Sequence, residues 1–147
     1  MMTFPPIALT GERIALRQLD ERDAAELLAI FGDRQVMRYW SQSPWTGEHD
    51  ALAMIERDRL AFAEGSALRL GIELRPSGRV IGTVSLFNLS HANRRAEIGY
   101  ALARAHWGQG LMHESLMLLV DWAFETLKLH RLEADIDPAN QASARSL

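Results

Sequence analysis

Two hydrophobic rhythms take turns along this 147-residue chain, one of period two and one near 3.6. Residues 12–18, ERIALRQ, place Ile14 and Leu16 between Arg13, Ala15 and Arg17 and predict a short strand. Asp20 follows as a helix N-cap, with Asp23 at the third helical position. Ala24, Leu27, Leu28 and Phe31 then recur at helical spacing as far as Gly32. RQVMRYW (34–40) predicts another short helix. Residues 48–63 predict a longer one, with Ala51, Ile55 and Phe62 among charges and Gly65 as its stop. Residues 67–75 alternate strictly at Leu68, Leu70, Ile72 and Leu74. Pro76-Ser77-Gly78 is a turn signature, and the β-rich run 79–90 closes an antiparallel hairpin. Residues 94–103 give the next strand. Leu111 to Leu127 give the strongest helix, with Leu111, Leu118, Leu119 and Trp122 on one stripe. Residues 131–137 alternate Leu132, Ala134 and Ile136 as a last strand, and Asp137-Pro138 ends it. The order predicts a mixed α/β sheet in one domain over 1–147, with a parallel strand–helix–strand crossover at 94–137.

Composition narrows the function classes. The chain is 48% hydrophobic and 24% charged, the balance of an ordinary globular domain. A formal charge of −3 argues against a nucleic-acid surface. The sequence has no cysteine, which excludes disulfides, thiolate metal sites and a cysteine acyl intermediate. No apolar run is long enough to predict a membrane span, and MMTFPPIALTGE does not read as a secretion signal, so a cytoplasmic protein is expected. His106 and His113 flank a turn, but no neighbouring carboxylate completes a zinc set, so no metal is expected.

The chemistry concentrates in EIGYALARAHWGQGLMHES, residues 97–115. A helix N-terminus leaves amide N–H groups unpartnered and carries partial positive charge. Gly108 and Gly110 would let those groups approach an anion, with Leu111, Met112 and His113 donating from the first turn. A diphosphate suits such a cradle; a tight strand-to-helix connection is the other reading. A Rossmann site fits poorly, because no third glycine stands at Met112 or His113. On the preceding strand, alternation places Glu97, Gly99 and Ala101 on one face, a carboxylate beside two nearly absent side chains. A ligand could lie there with Glu97 as a base; alternatively, Glu97 pairs with Arg94 or Arg95.

Four stretches in order resemble the GNAT superfamily of N-acetyltransferases, in the branch of the ribosomal-protein N-terminal acetyltransferases RimJ and RimL. They are GERIALRQLDERDAAEL (11–27), GRVIGTVSLFNL (78–89), AEIGYALARAHWGQGLMHES (96–115) and LKLHRLEADIDPANQASARSL (127–147). The resemblance implies a central, mostly antiparallel sheet with one parallel crossover. It implies that acetyl-CoA is the co-substrate, its pyrophosphate held by Gly108, Gln109, Gly110, Leu111, Met112 and His113. Trp107 and Met112 depart from the family pattern at the positions of its usual Gln or Arg and its usual Gly or Ala, and Met112 would tighten the space. The pantetheine arm is expected along Ala101, Leu102 and Ala103. Asn140 is implied as a cofactor contact and Ser143 as the acid near the leaving sulfur, although both also read simply as a helix start. Tyr39, Trp40 and Trp45, with Ser41 and Ser43, are candidate acceptor-pocket residues; Trp107 and Trp122 read as packing.

The family fold continues past the equivalent of Leu147, so the final strands are expected to be missing here. The 131–137 strand would then keep an uncovered apolar edge, which predicts a homodimer or a swapped assembly and reduced transfer. The implied acceptor is a primary amine, either a protein N-terminus or a small molecule. A CoA-binding module without catalysis and an unrelated nucleotide-binding domain are the competing readings.

Overall fold

The computed structural model describes residues 4–38 and 43–134, and of Ala134 only the backbone. Among the described residues six strands form one sheet in chain order: β1 (Ala8–Thr10), β2 (Ile14–Arg17), β3 (Leu68–Leu74), β4 (Arg79–Ser90), β5 (Arg95–Leu102) and β6 (Arg131–Ala134). Every neighbouring pair is antiparallel except β5 with β6, which is parallel. Among the described residues three α-helices accompany them: α1 (Ala24–Phe31), α2 (Glu48–Glu64) and α3 (Leu111–Glu125). The mixed sheet and the crossover through α3 agree with the pattern in the sequence.

Period-two alternation sorts the sheet into two faces. Leu68, Leu70, Ile72, Val84, Leu86 and Ile98 are buried in a cluster with Leu111, Met112, Leu116, Leu119 and Trp122 of α3. On the other face Val80 and Ala101 join Leu27, Ile30 and Phe31 of α1 and Ala51, Met54 and Ile55 of α2. The β5 alternation thus has a physical partner on each side, and Glu97, Gly99 and Ala101 lie on the α1–α2 face.

Asp20 caps not α1 itself but the turn before it, and the N-cap of α1 is Asp23, which makes no side-chain cap bond there. A capping box with Asp23 closes the 3₁₀ turn Glu21–Asp23 that leads into the helix. Arg17 on β2 clamps that turn, donating to both carboxylate oxygens of Asp23 at 2.9 Å and to Glu73 on β3 at 2.9 Å. Gly65, at φ 73°, ends α2 in the left-handed region.

Two expectations need correction. Residues 34–38 form turns, not a helix: the Met37 N–H reaches Asp33 O at 3.0 Å, while the Asp33 side chain accepts from Gln35 N–H at 2.8 Å. Val36 and Met37 bury themselves in the α1–α2 core from that turn. The buried stripe of α3 runs through Ser115 and Ala123, with Leu118 only partly buried. On the described part of β6, Arg131 and Glu133 share one face and pair at 2.9 Å, while Leu132 packs against the core on the other; residues 135–137 of the expected strand lie outside the described residues.

Candidate active site

The glycine turn is built from the end of β5 outward. After Leu102 a 3₁₀ turn, Arg104–His106, reverses the chain, and Arg104 pins it to Asp33 at 3.1 Å. The Trp107 indole N–H donates back to Leu102 O at 2.8 Å. Trp107 is 43% exposed, so it braces the turn from outside and is not a core residue. Gly108 and Gly110 then take φ values of 75° and 77°, in the left-handed region that other residues enter only at a cost of about 1–2 kcal/mol. A Cβ on Gly108 would meet nothing within 4 Å, so its glycine is required by conformation alone; one on Gly110 would lie 3.3 Å from Arg13 Nη2.

Gly110 is the N-cap of α3 and offers no side chain to cap it. Among the described residues no acceptor takes the amide N–H of Gly108, Gln109, Gly110, Leu111, Met112 or His113. These donors open on the exposed segment Trp107–Gly110, at the positive end of a 15-residue helix. The Met112 side chain is buried in the α3 core, so it does not narrow the turn as its bulk suggested; Leu111 is buried with it and His113 points to solvent. Gln109 keeps its carbonyl engaged with Arg13 Nη1 at 2.8 Å.

One carboxylate stands beside this amide cluster. Glu114 accepts from Arg13 N–H at 2.8 Å, Arg13 Nε at 2.9 Å and Ile14 N–H at 3.2 Å. Burial by itself would push the Glu114 carboxyl up. The bonds from Arg13 and Ile14 outweigh it and hold the group below the usual glutamate range.

Strand parity refines the expected pantetheine edge. Ala103 N–H is bonded to Ile81 O at 2.7 Å, so odd-numbered residues of β5 direct their main-chain groups toward β4. Of Ala101, Leu102 and Ala103, only Leu102 faces the opposite edge. Among the described residues β6 pairs only as far as Ile98, and no strand lies against Gly99–Leu102 on that side.

Glu97 is half-buried on the α1–α2 face, opposite Phe87 on β4 and Glu133 on β6. Its partner is neither Arg94 nor Arg95 but Asn88, whose amide donates to Glu97 Oε2. Asn88, at φ 49°, sits in the register shift of β4 between Phe87 and Ser90, which turns it toward Glu97. The next position along the face is Gly99, where a Cβ would stand 2.8 Å from Ser85 Oγ and 3.1 Å from Phe87. Small size is therefore a steric requirement there. Across the sheet, Arg69 on β3 lies in register with Ser85 and pairs with Asp58 of α2 at 3.4 Å. Burial pushes the Asp58 carboxyl up, and Arg69 only partly offsets it. Asn88, Ser85, Arg69 and Asp58 were not singled out in the sequence. Only Asn88, a polar turn-former inside a β-rich run, gave a local signal.

Trp45 stacks on Phe31 with ring centroids 4.7 Å apart. With Ser43, Thr46, Asp50 and Arg57 it lines an open pocket of about 460 Å³, which shares no lining residue with Glu97 or the glycine turn. Tyr39, Trp40, Ser41, Asn140 and Ser143 lie outside the described residues. Among the described residues no helix is long and apolar enough to cross a membrane.

Comparison with known proteins bears on this geometry. A family model described as an acetyltransferase (GNAT) domain matches residues 13–147. The uncharacterized N-acetyltransferase p20 of Bacillus licheniformis is 37% identical over 139 residues, covering 95% of this chain and 78% of that protein. The [ribosomal protein uS5]-alanine N-acetyltransferase of Escherichia coli K12 is 26% identical over 147 residues, covering 95% and 74%. Mycobacterium smegmatis RimJ, solved in complex with CoA-disulfide, superposes with a TM-score of 0.85 at 28% identity, covering 97% of this chain and 73% of that one.

Proposed function

Because this chain belongs to the GNAT acetyltransferase family, in its RimJ-like branch, we propose that it transfers the acetyl group of acetyl-CoA directly to a primary amine. The observation that carries the proposal is the set of unpartnered amides at Gly108–His113, exposed at the N-terminus of α3. The residues present fit a diphosphate: donors without acceptors, left-handed glycines and open space above Gly108. When bound, the donor supplies an activated thioester.

The chain's own groups then have separate tasks. The glycine turn holds the diphosphate, and Leu102 N–H faces the edge where the arm would lie. Gly99 lets Ser85 and Phe87 pack closely beside Glu97. Glu97 lies five residues before Leu102, about 17 Å along the strand. Glu97 takes a proton from the acceptor ammonium, directly or through one water, because only the neutral amine is a nucleophile. The amine nitrogen forms the new C–N bond as the C–S bond breaks, and the sulfur leaves with the electron pair and takes up a proton. Ser143 is the group the family resemblance offers for that proton. A protein N-terminal α-amine is the favoured acceptor, since a relative acts on ribosomal protein uS5.

Calorimetry with acetyl-CoA on the wild type and on Gly110→Glu tests the anchor. The wild type binds, and the variant loses at least about 100-fold in affinity, because a side chain at positive φ and a second anion both act at the same point. A wild type that does not bind acetyl-CoA refutes the proposal. Thiol release with an alanine-terminated peptide, a polyamine and a small amine then identifies the acceptor. Binding without release from any of them would favour a non-catalytic CoA-binding module.

A further inference from the structure

The β1–β2 turn reaches across the molecule to the cofactor anchor. Arg13 gives Nε and its main-chain N–H to the two oxygens of Glu114, at 2.9 and 2.8 Å, and Nη1 to the carbonyl of Gln109 at 2.8 Å. The turn itself is fastened from the far side: Arg75 N–H reaches Arg13 O at 2.9 Å, and Arg75 Nη1 reaches Gly11 O at 2.6 Å. Gly11 is compressed against Glu114, since a Cβ there would stand 2.7 Å from Oε2. Arg13 is nonetheless 48% exposed, so this bridge is not a buried structural pair.

Its position poses an electrostatic problem that Arg13 resolves. Glu114 is a carboxylate in the first turn of α3, beside the amides that would receive a diphosphate. Uncompensated, it would repel that ligand and fill the positive end of the helix. The Gln109 carbonyl is a second negative end in the same turn, and Arg13 Nη1 draws it aside.

We propose that Arg13 is a positioning residue of the anchor: it fixes the Gln109 peptide so that the neighbouring N–H groups face outward, and it cancels the charge of Glu114 at the mouth of α3. This inference rests on the diphosphate reading given above. It predicts that removing the cation alone hurts more than removing both charges.

CoA binding by calorimetry, with wild type, Arg13→Gln, Arg13→Lys and the double variant Arg13→Gln/Glu114→Gln, tests it. Arg13→Gln raises Kd about tenfold, the scale of one charge-assisted contact. Arg13→Lys falls between wild type and Arg13→Gln, because the charge opposite Glu114 remains while the planar fork that also holds the Gln109 carbonyl is lost. The double variant binds CoA more tightly than Arg13→Gln. Wild-type affinity in Arg13→Gln overturns the inference. So does a lysine variant as weak as the glutamine one, or a double variant weaker than the single, which would mark a purely structural bridge. A wild type that binds no CoA removes the diphosphate reading and this inference together. The other three outcomes remove the inference alone.

Discussion

The Glu97 face lies on β5 and the glycine turn follows that strand's end, yet the two are made in opposite ways. The turn is main chain: left-handed glycines, amides without acceptors, and side chains that either bury, as Leu111 and Met112 do, or point to solvent, as His113 does. The Glu97 face is side chain: a carboxylate held by Asn88, a bare Gly99, and Ser85 and Phe87 alongside. A site made of backbone depends on conformation and tolerates exchange of side chains, whereas a site made of side chains depends on cross-strand neighbours. The two are therefore separable by mutation, one governing donor binding and the other turnover.

The largest effect should come from the face. Glu97→Gln keeps the shape and the Asn88 contact but removes the base. Turnover with the identified amine should fall about 100-fold at neutral pH, within the usual range for a general base. Acetyl-CoA affinity measured by calorimetry should stay within about twofold. Part of the loss should be recovered at higher pH, where more of the amine is already neutral. Equal losses in donor affinity and turnover would break the separation between the two regions.

A smaller effect is expected from Gly11→Ala, which acts on the turn from a distance. The added methyl would meet Glu114 Oε2 at 2.7 Å, Leu118 Cδ1 at 3.0 Å and Ile14 O at 3.1 Å. Because the carboxylate is tied by three hydrogen bonds, the clash should cost about 1–3 kcal/mol in chemical denaturation. CoA affinity should weaken severalfold, while kcat at saturating donor should hold. A fall in kcat with unchanged affinity would place Glu114 with the face and not with the turn.

The same contrast explains what the sequence disclosed. The strands β3, β4 and β5, helix α2 and the glycine turn were legible because each is a local pattern: alternation, a Pro-Ser-Gly turn, Gly65 as a stop, two glycines before a helix. β1 has only three residues and no alternation long enough to register. At 34–38 an apolar pair resembled a helical stripe, but Asp33 satisfied the local amides and one turn was enough to bury Val36 and Met37. On α3 the buried stripe passes through Ser115, which reads as polar yet returns its hydroxyl to Leu111 O at 2.8 Å. The site residues that escaped notice share one cause. Arg13 and Glu114 are separated by 101 positions, and Glu97 meets Asn88 only because a register shift turns the strand. Neither relation has a period or a spacing to read.

The smallest effect distinguishes the regions by the sign of their pH dependence. Glu114, beside the turn, has a folded pKa below its unfolded value, because the bonds from Arg13 and Ile14 prevail over burial. Its contribution to stability is therefore present above about pH 4.3, the ordinary glutamate value, and is lost as pH falls through the folded pKa. Asp58, on the Glu97 face, is the reverse: burial raises its folded pKa, with Arg69 and Arg57 pulling it down less strongly. The folded state is favoured below about pH 3.9, the ordinary aspartate value, and loses that advantage as pH rises through the folded pKa. Melting temperatures of wild type, Glu114→Gln and Asp58→Asn between pH 3 and pH 7 should show it. Relative to the wild type, Glu114→Gln should become less destabilising toward acid, because the wild type loses there what the variant never had. Asp58→Asn should become more favourable toward neutral pH, because the amide avoids the cost of burying a charge. If both variants track the wild type in the same direction, the two carboxylates experience similar surroundings, and the division between a backbone site and a side-chain site fails on electrostatic grounds.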